Sequence, residues 1–131
     1  MPSTSERLRS LVEGLYAATR NGNLSWEVTS DDRTFKTQIS NNRIEVNIEP
    51  GGNGSDDIRV TVYNSSGVQV DSFVDTYFNR MKPANADFDG YFSLMLSLYE
   101  SARRNATGAD RVLDEIIRSL GTPIVSDDVP F

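Results

Sequence analysis

Cysteine and histidine are both missing from this sequence of 131 residues. Without thiols there is no disulfide and no thiolate metal ligand. Without imidazole there is no Ser-His-Asp or Cys-His nucleophile system and no titration switch near neutral pH. Lysine is scarce, with Lys36 and Lys82 alone, and 13 cationic side chains face 19 acidic ones for a net charge of -6. An acidic chain is repelled by a phosphate backbone, and its densest cations, Arg103-Arg104 with Arg111 and Arg118, fall short of a basic stripe. No nucleic-acid partner is expected. No apolar run approaches the roughly 20 residues that a bilayer requires, so no membrane partner is expected either. The opening Met-Pro-Ser-Thr-Ser-Glu lacks the charge and the apolar core of a secretory leader, and the expectation is a cytoplasmic protein.

What is present reads as an ordinary globular domain, 37% hydrophobic and 24% charged. A first helix is predicted from about Thr4 to Arg20. Ser3 and Glu6 have capping-box spacing, Leu8, Leu11, Val12 and Leu15 form an apolar stripe, and Asn21-Gly22 is a stop. The period then changes to two. Leu24, Trp26 and Val28; Phe35, Thr37 and Ile39; Ile44, Val46 and Ile48; Ile58, Val60 and Val62; and Val68, Val70 with Phe73 alternate with polar neighbours. Asn41-Asn42, residues 50–57 and Asn64 to Gly67 supply the turns. Five short strands with one apolar face each describe an antiparallel meander wet on one side.

Helical spacing returns with Tyr91, Leu94, Met95, Leu98, Tyr99 and Ala102, opened by Asp87 or Asp89 as cap. After a break near Asn105 to Gly108, a last helix carries Val112, Leu113, Ile116, Ile117 and Leu120 and stops at Gly121. Residues 75–86 fit either an extension of the fifth strand or a helical turn. The expected fold is α+β, a five-stranded antiparallel β-meander covered on one face by an N-terminal helix and two C-terminal helices. Residues 1–121 form one domain and 122–131 a tail in which Ile124, Val129 and Phe131 are available for docking. The expected core is Trp26, Phe35, Ile44, Val46, Ile48, Val60, Val62, Leu94, Leu98, Ile116 and Leu120.

Four segments carry a likeness: Leu15 to Glu27 with its Ala-Thr-Arg-Asn-Gly-Asn-Leu-Ser-Trp core, Phe35-Lys-Thr, Asn64 to Val70, and Leu98-Tyr-Glu-Ser-Ala-Arg-Arg104. Together they resemble a group of small uncharacterised bacterial proteins in which a Leu-x-Trp strand follows the first helix and a Leu-Tyr-x-x-Ala-Arg helix follows the meander. The resemblance spans most of the chain, its motifs are structural, and it implies no activity and no site residues.

Chemistry-bearing motifs are few. The Gly51-Gly-Asn-Gly-Ser-Asp-Asp57 loop lacks the lysine and following helix of a phosphate loop, and only Asp56 and Asp57 resemble calcium ligands, so it reads as a flexible hairpin loop. Asp71 with Asp75, and Asp87 with Asp89, are the available carboxylate pairs. Asp71 is read as solvated, and the second pair as cap and first-turn partners of the helix dipole. Arg103 and Arg104 suit the negative end of their helix and would also suit an anion or acidic partner. Trp26 is read as core. Tyr77, Phe78 and Met81 have no period that buries them, and an apolar patch there would mark a partner surface.

Tyr77, Phe78, Met81, Arg103 and Arg104 are therefore the candidate partner surface, with no catalytic residue, no cofactor and no metal expected. The reading that fits is a non-enzymatic protein-interaction module, chaperone-like or immunity- and adaptor-like, with a protein partner and room for a homodimer. The alternative is a small-molecule binder with a pocket between sheet and helices, its polar anchors drawn from Thr37, Gln38, Tyr91, Tyr99 or an arginine.

Overall fold

The computed structural model describes residues 1–52 and 54–126. Helix α1 spans Thr4–Arg20 and opens on a complete capping box. The Glu6 N–H donates to the Ser3 hydroxyl at 3.1 Å and the Ser3 N–H to the Glu6 carboxylate at 2.8 Å. Its inner face is Leu8, Val12, Leu15 and Thr19.

Strands β1 (Glu27–Val28), β2 (Thr34–Ile39), β3 (Asn42–Pro50), β4 (Asp56–Tyr63) and β5 (Gln69–Val74) pair antiparallel in chain order. Ser40 and Asn41 at φ 52° and 66° make the tight β2–β3 turn, because the right-handed twist of a hairpin favours two successive positive φ values. The register sets Phe35, Val46, Val60 and Phe73 side by side across four strands, and all four are buried. Lys36, Glu45, Thr61 and Ser72 form the matching row on the other face. There Arg59 bonds Glu49 and the Ser72 hydroxyl, each at 2.9 Å, and the Arg43 guanidinium lies 4.0 Å from the centre of the Tyr63 ring.

Two strands depart from strict alternation. β1 is only two residues long because the Trp26 N–H leaves the sheet and donates to the Asn105 side chain on the last turn of helix α2 (Tyr91–Thr107) at 2.6 Å. In β5 a bulge opposite Val62/Tyr63 adds a residue and reverses the phase. Phe73 therefore turns inward while Val68 and Val70 are exposed, and Asp71, read as solvated, is half-buried. A 3-10 turn, Asp75–Phe78, follows directly, so residues 75–78 do not prolong the strand.

Helix α2 lies across the apolar side of the sheet and α1 packs on α2. α2 buries Tyr91, Leu94, Met95, Leu98, Tyr99 and Ala102, a face broad enough to meet both neighbours. Its N-cap is Gly90, without a side-chain cap, so neither Asp87 nor Asp89 caps it. At its other end Gly108, φ 67°, is both the last cap of α2 and the first of α3 (Ala109–Leu120).

Trp26, Phe35, Ile44, Val46, Val60, Leu94 and Leu98 are core as expected, and Ile48 is partly buried against it. Ile116 and Leu120 are not core: they are 50% and 71% exposed, and α3 contributes no buried residue. The reason is that α3 packs along α2, whereas it is α2 that meets the apolar side of the sheet. Of the proposed tail, residues 122–126 are exposed, while the suggested docking of Val129 and Phe131 lies outside the described residues.

Candidate interaction surface

The five residues singled out from sequence do not form one surface. Phe78 is 1% exposed. Its ring stands edge-on to Phe73 at 5.6 Å and lies 4.6 Å from that of Tyr91, which makes it a core residue capping the sheet edge. Met81 is partly buried against the same cluster, with the Ser5 hydroxyl 3.7 Å from its sulfur. Tyr77 alone remains half-exposed. The segment lacks a period because a 3-10 turn and a loop, rather than a long element, carry these side chains inward.

Arg103 is held by Glu100 one turn back at 2.9 Å. Arg104 reaches across the helix junction to Asp110, with its Nε 3.0 Å from the carboxylate. Both cations thus serve local ion pairs, and the second spans the junction of α2 and α3.

A group of exposed apolar side chains lies on α3. Ala109, Leu113, Ile116 and Leu120 follow the 4-3-4 spacing that lines one side of a helix, with Val112 and Ile117 flanking them. Val112, Leu113, Ile116 and Leu120 are all exposed. The charges stand elsewhere: Asp110 with Arg104, and Arg111 with Glu115 at 3.7 Å. A helix of 12 residues has little intrinsic stability in water, where isolated helices below about 12–15 residues are marginal. Its apolar side is of the kind that packing normally supplies.

Sequence periodicity marked the stripe of Val112, Leu113, Ile116, Ile117 and Leu120 and assigned Ile116 and Leu120 to the core. The signal that distinguishes the two cases is position: α2 lies on the sheet, and α3 packs against α2 rather than against the strands.

Three other features bear on chemistry. The Asp75 carboxylate is buried and accepts the Ile58 N–H at 2.8 Å. Burial pushes its pKa up, the Ile58 bond pulls against this, and the neighbouring Asp57 charge adds to the rise. Asp75 borders an open recess of about 310 Å³ shared with Arg80, Lys82, Asp89 and Tyr91. A second open recess, about 270 Å³, lies on the polar side of the sheet by Lys36, Thr37, Gln38 and Arg43. Neither is an enclosed cavity between the layers.

Glu13 is the third. Its carboxylate accepts the N–H groups of Ala84 and Asn85 at 3.1 and 2.8 Å and the Tyr91 hydroxyl at 2.9 Å. Arg9 in turn donates to the Tyr91 oxygen at 3.1 Å. Burial raises the Glu13 pKa, but these donors outweigh it and hold the group below its ordinary value, while burial raises Tyr91. The cluster ties α1 to α2 and to the loop that leads into α2.

Among the described residues no group of acidic side chains is placed to hold a metal ion, and no helix is long and apolar enough to cross a membrane. No protein-family model matches the chain, and neither the curated proteins nor the solved structures contain a match to it.

Proposed function

We propose that the protein is a non-enzymatic interaction module that engages another polypeptide through the apolar side of α3. One observation carries the reading: a 12-residue helix, joined to the body through Gly108, presents Val112, Leu113, Ile116 and Leu120 to solvent. Contiguous exposed apolar side chains of this kind mark contact surfaces. The buried carboxylate Asp75 is spent on the Ile58 N–H. The role is that of an adaptor or chaperone-like protein in the cytoplasm.

The test is site-specific photo-crosslinking in cells that make the protein, with the photoreactive residue at Val112 or Ile116. Lys36 on the polar face of the sheet serves as control. Discrete adducts from the two helix positions and none from Lys36 are expected. Equal labelling at all three positions, or none at α3, would overturn the proposal.

A further inference from the structure

We infer that Asp71 closes the open edge of β5 to strand addition, so that neither a second copy nor another extended chain lengthens the sheet. The inference concerns the sheet and stands apart from the reading of α3.

Five strands paired in chain order leave two edges, and an edge strand presents unpaired N–H and C=O groups to any extended chain. β1 is a poor template, because it is two residues long and the Trp26 N–H beside it is taken by the Asn105 side chain. β5 is six residues long and pairs with β4 alone. Val68 and Val70 are exposed at its entry. This is the edge that needs a guard.

Asp71 obstructs it in two ways. Its carboxylate accepts the Ser72 N–H at 2.9 Å, so that donor is already engaged. In an antiparallel ladder alternate residues of the outer strand turn their N–H groups away from the sheet, and a further strand would need those groups. The register also places Asp71 at the end of the row Thr37, Ile44 and Val62, on the apolar side of the sheet. The bulge produces this placement, since without the extra residue opposite Val62/Tyr63 the side chain would turn to the wet side.

A strand laid along β5 would set a side chain against that carboxylate and shut it from water, which is unfavourable for an unpaired charge. Gln69–Val74 contains no cation, so a second copy pairing through β5 would bring only another acid. β5 itself does not depend on the guard. Phe73 anchors it in the core, and the Ser72 hydroxyl bonds Arg59 at 2.9 Å and lies 3.2 Å from the Thr61 hydroxyl.

The test compares Asp71→Ala with the parent by sedimentation velocity between about 10 µM and 1 mM. Far-UV circular dichroism and Trp26 fluorescence establish that the variant is folded. It should associate where the parent does not, its average mass rising roughly twofold or more. Adding Ile116→Glu, which breaks the apolar side of α3, should leave that association intact, and amide hydrogen exchange should slow in β5. Asp71→Lys restores an edge charge and should sediment as the parent does. Asp87→Ala removes the same charge from an exposed loop position and should do likewise.

Should the alanine variant fail to fold, Asp71→Val, whose side chain suits a strand, takes its place. A folded alanine or valine variant that sediments like the parent would overturn the inference. So would association abolished by Ile116→Glu, or association as strong in Asp71→Lys or Asp87→Ala. Unfolding of both the alanine and the valine variants would also overturn it, by making Asp71 a requirement of the fold.

Discussion

The Trp26 indole N–H donates to the Thr19 hydroxyl at 2.9 Å, and that hydroxyl donates onward to the Leu15 carbonyl at 2.7 Å. Both residues are buried, and the single hydroxyl serves two neighbours. Thr19→Val keeps the shape and strands the indole N–H, at a cost of about 1–3 kcal/mol. Thr19→Ser should recover most of that. Urea unfolding followed by Trp26 fluorescence reads both, and equal midpoints for the valine variant and the parent would refute the account.

Glu13 sets a dependence on acidity. Its pKa is depressed in the folded protein, so its contribution is present above the unfolded carboxylate range and is lost as pH falls through the folded value. Glu13→Gln should cost about 1–2 kcal/mol at pH 7. It should also make the urea midpoint less sensitive to pH between about 5 and 3. An unchanged acid-side slope would show that the carboxylate is not held as described.

Asp75 has the opposite sign. Its pKa is raised by burial, so this group favours the folded state more as pH falls through that raised value. Asp75→Asn keeps an oxygen for the Ile58 N–H and removes the buried charge beside Asp57, so it should be at least as stable as the parent at pH 7. Asp75→Ala leaves that N–H without its acceptor and should lose about 1–3 kcal/mol. Guanidinium titrations at pH 7 decide between them, and an asparagine variant as weak as the alanine one contradicts the assignment.

Gly108 is the pivot of the C-terminal third. At φ 67°, an added Cβ would lie 3.1 Å from the Arg111 guanidinium. Gly108→Ala should cost about 1 kcal/mol from the left-handed conformation alone. The loss is local, so far-UV circular dichroism should report less helix while Trp26 fluorescence at 25 °C is unchanged. A simultaneous change in both signals argues that α3 is part of the core unit.

Phe78 and Tyr77 are adjacent and should behave differently. Phe78→Ala empties a core position and is expected to cost about 3–5 kcal/mol, whereas Tyr77→Ala should stay within about 1 kcal/mol. Thermal or urea unfolding separates them, and comparable losses would mean that Tyr77 is as deeply packed as its neighbour.

The comparison of these two residues shows where sequence pattern is informative. Along β2, β3 and β4 a period of two is imposed by the pleat, so Phe35, Ile44, Val46 and Val60 declare their face. α1 and α2 declare theirs through the 3.6-residue turn. Phe78 sits on a single 3-10 turn, too short for any repeat, and is fixed by ring contacts to residues in β5 and α2. The bulge at β5 is similarly silent, because an extra residue reverses every later side chain while composition stays the same. On α3 the stripe itself was legible, but whether Ile116 and Leu120 lie inside or outside depends on whether the helix packs against the strands or against α2. That is a property of the assembled chain rather than of any window within it.

The bonds from Glu13 to Ala84, Asn85 and Tyr91 carry a consequence for biosynthesis. While the ribosome is still making the polypeptide, neighbouring strands can zip together as each emerges, since every pairing is between successive segments. The leading helix has no such opportunity. Its greasy side stays bare until the residues that cover it, some seventy to eighty positions downstream, have left the exit tunnel. Nascent chains from which α2 has not yet emerged should therefore be the ones that holding factors recognise.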